Sequence, residues 1–499
     1  MKIRLKESED ESNFAYYTKE NGRFERYMMI IDTSVKGNMK FQRALAGFFL
    51  SVFLFVITIN AHFFVDAGTL KGMEKNILYF IGISLFIEVF AGIFAGLQLL
   101  SLSFFFIILA YIYNCGQVLL NYLDYDIYYT YADVKNLYGE ANYINHIVIA
   151  LISIAVVYMG MMFVHLLQCL GKRKKHVKVY DKKIVLSKKF ACVLLAVSLP
   201  FSLYTVFLQL YYGLKFGYGV VNSHRAGQFQ TYMASLLLPG IIILIATATD
   251  KKKKWIYLIY TFYCFITMLG GIRSAALLNF LVCTYVYLFL ILKIKINWKK
   301  IILFGVVALV LLEVMIGIRY ARPYGITIES FTQAVHEHGS EVILDTIREM
   351  SGTEIVLAKT MGYKREILTE NGRQMGVAFL SVILGISKLV EVNLSQFSMQ
   401  YVMPISHLGG SFVSDFYFDN QLLLFSFLFG ILLQVIFSKF EVGKDIFYSA
   451  YWAPILPQLI FSVRSSTTNL PRLIVWYSIL FLIVYVAYFL CHRERYNES

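Results

Sequence analysis

The chain has 499 residues, 58% hydrophobic and 16% charged, with a mean hydropathy of +0.61, whereas soluble domains run near 45–50% apolar and about 25% charged; this composition excludes an ordinary aqueous globular domain. The net charge of +14 would suit nucleic acid, but the basic residues lie mostly between apolar runs, where they orient a chain in a bilayer, so nucleic acid is not an expected partner. The six cysteines have no CxxC spacing and sit in or beside apolar segments, which points to packing and away from a disulfide framework or a zinc site.

Taken in chain order, residues 1–43 form a polar tail in which Glu7, Glu9, Asp10 and Glu11 precede any apolar run. Such an acidic stretch is unlike the basic start and short apolar region of a cleaved signal, so the first helix is expected to be retained and the tail cytoplasmic. A crossing takes about 20 apolar residues. Twelve runs are candidates: 44–65, 77–95, 99–122, 144–170, 190–213, 231–249, 255–270, 275–292, 301–318, 421–438, 446–463 and 473–491. The basic stretches Gly171 to Lys189 and Lys251 to Lys254 then fall on the cytoplasmic side, as the excess of Lys and Arg on that side requires. The expected fold is all-α and polytopic, with about twelve spans. Spans one to nine occupy 44–318, an external cap 319–420, the last three spans 421–491, and a cytoplasmic tail 492–499.

Within this frame, Glu88 lies inside the second span, and Gly92 and Gly96 form a GxxxG pair suited to close helix packing. Asp124-Tyr125-Asp126 falls in an external loop. Glu313 lies near the outer end of the ninth span, where an ionisable group is costly and a functional candidate, with a partner expected on another helix. In the cap, Val377 to Val390 is apolar but short, which suggests an interfacial or re-entrant helix. His336-Glu337-His338 lacks a third ligand at fixed spacing, so it reads as a solvated loop and no metal is expected. Asp415 and Asp419 precede the tenth span; Asp419 is expected to cap that helix, and Asp415 lies four residues further out.

The feature that points to chemistry is a set of arginines at the outer ends of helices: Arg225, Arg273, Arg319, Arg322, Arg464 and Arg472. Each runs against the inside preference of positive charge. A guanidinium grips phosphate with two parallel hydrogen bonds, so a lipid diphosphate is a suitable ligand, although any single arginine could instead snorkel to ordinary phospholipid. Arg273 sits in the tight link Gly270-Gly271-Ile272-Arg273-Ser274, with no long loop to carry it away from the membrane. No P-loop, GxSxG or HExxH motif occurs, which disfavours nucleotide-driven transport and serine or zinc hydrolysis.

Four features together resemble the Wzy-type O-antigen and capsule repeat-unit polymerases over roughly 40–490. These are the overall topology, Gly271-Ile272-Arg273-Ser274 between two spans, the large loop after the ninth span, and Gly409-Gly410-Ser411 leading through Asp415 to Tyr417 and Asn420. That family commonly carries Glu where this chain has Asp415, and an Arg-x10-Gly pattern of some members is matched by Arg365 to Gly376. The resemblance implies a bacterial cytoplasmic-membrane enzyme without cofactor or metal, joining undecaprenyl-diphosphate-linked oligosaccharides at the outer leaflet. Asp415 and Arg273 would be catalytic; Arg225, Arg319, Arg322, Arg464, Arg472, Glu313, His407 and Tyr417 would bind substrate, with Asp415 or His407 as base. Membrane lipids, a chain-length regulator and a flippase of the same pathway are the implied partners. A flippase or an outer-face glycan ligase are the alternative functions.

The charge pattern makes a prediction about topology. Reporter fusions at Lys178, Lys252 and Lys295 should report cytoplasm, and those at Tyr128, Asn222 and Gly339 the outside. A fusion at Lys444 that reports the outside would mean that residues 376–390 cross and that the span count is wrong.

Overall fold

The computed structural model describes residues 39–61, 74–98, 101–123, 125, 140–171, 188–216, 226–270, 273–294, 298–321, 328–367, 374–383, 410–441 and 446–492. All of the regular elements there are helical. In chain order they are α1 (Met39–Ala61), α2 (Glu74–Ala95), α3 (Leu102–Tyr122), α4 (Glu140–Gly171), α5 (Lys188–Phe216), α6 (Gln228–Ser235), α7 (Leu237–Thr247) and α8 (Asp250–Leu269). Then come α9 (Arg273–Tyr285, continued by a π-turn Val286–Ile291), α10 (Trp298–Ala321), α11 (Ile328–His338), α12 (Val342–Ser351) and α13 (Glu354–Ile367). The series ends with α14 (Gln374–Leu380), α15 (Phe412–Phe418), α16 (Leu422–Glu441), α17 (Ile446–Trp452), α18 (Leu456–Phe461) and α19 (Leu470–His492). Eight stretches, with α6 and α7 counted together, are long and apolar enough to cross a bilayer.

The central contact is α4 against α16, which pack along their length. Small residues allow the approach: a Cβ added to Gly430 would lie 2.0 Å from the Val157 carbonyl oxygen, and one on Gly160 would lie 2.4 Å from that of Phe427. Without water between helices, association depends on such close packing and on polar bridges. The Ser153 and Ser426 hydroxyls meet at 2.7 Å, and the Gln168 amide donates to the Ser438 hydroxyl at 2.7 Å. Residue numbers rise together along both helices, so α4 and α16 run parallel. α2 is parallel to them, with Tyr158 of α4 donating to the Glu88 carbonyl and His165 facing that of Ala95. α3 runs the other way: its first residue, Leu102, donates its amide to Glu441 at the end of α16, and Ser103 bonds Gln434. Phe106 of α3 fills the junction against Phe412, Phe429 and Phe437.

Two sequence expectations change, that of a single helix over 446–463 and that of a shared packing face for Gly92 and Gly96. The run 446–463 is not one helix but two, α17 and α18, separated near Ala453. Pro454 and Pro457 lack the N–H that a continuous ladder needs. The break is buried, with Ala453, Ile455, Leu456 and Val463 all sealed, the setting in which irregular backbone is tolerated in a membrane protein. In the apolar stretch 377–390, α14 ends at Leu380 and turns through Ser381–Ile383; residues 384–390 lie outside the described residues. Gly92 and Gly96 do not share a packing face: Gly92 abuts Phe104 and Tyr158, whereas Gly96 ends α2 at φ +90° with open space around it, a conformation glycine adopts without strain. Beyond the end of α10, the described residues of the segment expected as a cap, 319–420, form α11 to α15, with α12 packed on α3 and α10, and α13 on α4, α3 and α15.

Gly430→Leu should separate α4 from α16, because the side chain would occupy the space of the Val157 backbone. The expected outcome is loss of folded protein from detergent extracts, a cost of several kcal/mol as for overpacked cores, read by size-exclusion chromatography with a thermal-unfolding assay. Gly82→Leu, where an added Cβ meets nothing within 4 Å, is the control that should remain folded.

Candidate functional site

Around the C-terminal half of α3, helices α10, α12, α13 and α15 and the loop after α18 bring charged side chains together. α3 is the spine. Its Tyr113 carbonyl accepts from the Thr353 hydroxyl at 2.6 Å, and its Gln117 amide donates to Glu354 Oε2 at 3.0 Å. Glu354 Oε1 in turn meets His146 Nε2 of α4 at 3.2 Å, and both side chains are buried. The Thr353-Glu354 pair at the start of α13 thus clips the expected cap segment to two bundle helices.

One turn earlier on the chain, α12 carries a second network. Arg348 pairs with Asp345 at 2.7 Å and donates to the Tyr320 hydroxyl at 2.6 Å. Tyr320, at the end of α10, donates to the other Asp345 oxygen at 3.1 Å, while Tyr125 beyond α3 donates to Glu341 at 2.7 Å and to Asp345 at 3.2 Å. Arg348 also stacks over the Tyr125 ring. The next residue, Glu349, reaches Arg464 at 3.9 Å, both being about a quarter exposed. Arg464 further lies beside the Tyr113 hydroxyl and over the Phe461 ring. Arg348, Glu349 and Arg464 are accordingly partly accessible, Glu341 is exposed, and Asp345 is sealed.

Asp415 holds the loop that carries Arg464. It lies in the first turn of α15, whose start is fixed by a reciprocal Ser411 and Ser414 cap and by the Phe412 amide donating to the Ser462 carbonyl. Its Oδ2 accepts from the Ser466 hydroxyl at 3.0 Å, the Thr467 amide at 2.6 Å and the Thr467 hydroxyl at 2.8 Å. The side chain is 0% exposed. Burial pushes its carboxyl up to about 6 from an ordinary 3.8, outweighing the Thr467 and Ser466 bonds that pull it down, with Asp419 adding to the rise. Asp419 meets a helix remote in sequence: its carboxylate accepts the Met375 amide at 2.6 Å, at the start of α14.

Of the other residues singled out in the sequence, Tyr417 is half-buried on α15. Arg472, in the first turn of α19, is partly buried, its Nε has no hydrogen-bond partner, and Tyr232 of α6 lies within electrostatic range. Glu313 faces Gly339 after α11, about 3.4 Å from where a Cβ there would stand. Arg273 begins α9 and Arg319 lies in the last turn of α10. Arg225, Arg322 and His407 lie outside the described residues. Sequence reading missed Tyr113, Tyr125, His146, Asp345, Arg348, Glu349 and Glu354. The available signals were the Asp345 and Arg348 spacing of three, which pairs side chains on a helix, and the placement of Tyr125 between two acids.

The raised Asp415 value carries a pH dependence. A carboxyl titrating higher in the folded than in the unfolded chain contributes stability that is fully present below about pH 4 and is lost as pH rises through about 6, worth roughly 3 kcal/mol over that window. Thermal unfolding of the solubilised protein should therefore shift downward between these pH values, and Asp415→Asn should flatten that component.

The family described as O-antigen polysaccharide polymerase Wzy matches residues 46–493 of the chain. No curated protein and no solved structure matches it.

Proposed function

As the chain belongs to the O-antigen polysaccharide polymerase Wzy family, we propose that it lengthens a surface polysaccharide, O-antigen or capsule, at the outer leaflet of the bacterial cytoplasmic membrane. It does so by joining repeat units carried on undecaprenyl diphosphate. The observation that carries this reading is the partly accessible Arg348, Glu349 and Arg464 group beside α3. In the transfer, an acceptor sugar hydroxyl bonds to the anomeric carbon of the donor, and the bond from that carbon to the diphosphate oxygen breaks. The leaving diphosphate gains charge, which the two guanidinium groups, already oriented by Asp345 and Glu349, stabilise without reorganising. The hydroxyl proton passes to a carboxylate. Glu349, about a quarter exposed, is better placed to take it than Asp415, whose Oδ2 is enclosed by three donors; Asp415 acts by positioning the loop that bears Arg464. Arg273 and Arg472 remain candidates for contacts to the second lipid-linked chain.

The helix directions support the proposed topology. With α4 and α16 parallel, an odd number of crossings must separate them, yet α5 and the α6–α7 stretch are the only two of the eight apolar stretches between them. Crossings by all of α8, α9 and α10 would supply that odd number and, with α17 and α18 together as one further crossing, give the twelve-span arrangement with the α3 site outside. The alternative of a flippase requires cations deep in a central cavity; Arg348, Arg464 and Arg472 instead lie near helix ends. A chain-length regulator and a flippase of the same pathway are the proposed partners.

Reconstitution with a lipid-linked repeat unit should give a ladder of longer lipid-linked products. Arg464→Lys and Arg348→Lys should each cut turnover by about 10²-fold, the scale for removing one charged donor from such a site, because ammonium cannot reproduce a two-point grip. Absence of a ladder from the folded wild type would overturn the polymerase assignment; full turnover in both variants would overturn the site.

A further inference from the structure

Between α2, α3 and α4, away from the arginine cluster, lies a second group of polar side chains that the polymerase reaction does not use. Glu88 is 0% exposed, and the one group that meets its carboxylate is the Tyr111 hydroxyl, at the edge of hydrogen-bonding reach. The Ser84 hydroxyl and Asn114 Oδ1 are buried without a partner. The Asn114 amide nitrogen is committed to the Ala110 carbonyl at 2.9 Å, so it is the oxygen that is left over. Tyr158 of α4 closes the group by donating to the Glu88 backbone carbonyl.

Register places these atoms together. Glu88 faces Tyr111 and Gly92 faces Phe104, so α2 and α3 run antiparallel, and Ser84, one turn before Glu88, comes level with Asn114 and Cys115. Ser84 Oγ and Asn114 Oδ1 without partners, beside a buried carboxylate that only Tyr111 meets, are a costly arrangement in a dry interior, since their water is lost without full replacement. Oxygen atoms alone, one of them charged, are the donor set that a hard cation takes. Glu88 forms no ion pair among the described residues, so a single positive charge would neutralise the site, whereas a divalent ion would leave a net charge buried.

We propose that Ser84, Glu88, Tyr111 and Asn114 bind one sodium-sized monovalent cation within the α2–α3–α4 core. The ion supplies the missing partners and locks α2 against α3, and a proton on Glu88 is its competitor. The other titratable groups facing the site are Tyr111 and Cys115 on α3 and Tyr158 on α4, with Glu354 of α13 within electrostatic range of Cys115.

The test is thermal unfolding of the purified full-length protein in detergent at pH 8, titrated with sodium chloride against choline chloride at constant ionic strength. A saturable, sodium-specific rise of the unfolding midpoint is expected in the wild type. Glu88→Gln, nearly isosteric and neutral, should lose that rise, and Ser84→Ala should need several-fold more sodium to reach half of it. No sodium-specific rise in the wild type, or the same sodium response in both variants, would overturn the proposal. A midpoint that depends on pH but not on sodium would assign Glu88 to simple protonation and likewise overturn it.

Discussion

A helix in a bilayer normally satisfies its own backbone, which is why apolar helices pack as smooth rods. α3 adds to this at one rung: the Tyr113 carbonyl and the Gln117 amide, four residues apart in a continuous helix, also meet the side chains of Thr353 and Glu354. The rest of the described architecture follows from that contact. Because Thr353 and Glu354 begin α13, the segment after α10 is held against the bundle, α12 is laid along α3, and its Asp345, Arg348 and Glu349 are delivered to the end of the same helix. Glu354 is a buried carboxylate, tolerable because the Gln117 amide and His146 occupy its two oxygens. Removing one such partner would leave a sealed charge uncompensated, which is why buried pairs of this kind constrain geometry more strongly than they add net stability.

The arginine cluster combines rigidity with access. Arg348 is held by Asp345 and Tyr320, and Arg464 by Glu349 and the Phe461 ring, yet both retain partly exposed side chains. An arginine already oriented loses less freedom when it meets a phosphate than one on a mobile loop. Asp415 serves the same end from below, its carboxylate gathering three donors from Ser466 and Thr467 so that the loop from Arg464 onward has one conformation. The carboxyl is 0% exposed, and that burial is also what raises it.

Part of this site was legible in the sequence. Arg464, Asp415 and Asp419 stand out as charges beside apolar runs, where their cost demands a reason. Arg348, Glu349 and Glu354 do not stand out, since in a polar segment of mixed charge each looks like a solvated surface residue. Asp419 shows the limit of local rules: its position before α16 suggests a cap on that helix, while an amide that it accepts belongs to Met375, 44 residues away. The proline pair at 454 and 457 was a local signal for the break between α17 and α18, outweighed by the hydropathy of the run around it.

By itself, the sequence determined that the chain is helical and membrane-embedded, and where most of its long helices lie. Those properties are written residue by residue: about 20 apolar positions in a row have no other stable home, and each backbone must close its own hydrogen bonds. Only the tertiary structure decided which charge meets which. His146 and Glu354 are 208 residues apart, and their pairing depends on the register in which helices slide past one another, set by glycine contacts such as Gly160 and Gly430 and by ring packing around Phe106. Hydropathy is blind to that register, because sliding a helix by one turn leaves its apolar content unchanged while exchanging every partner along its face.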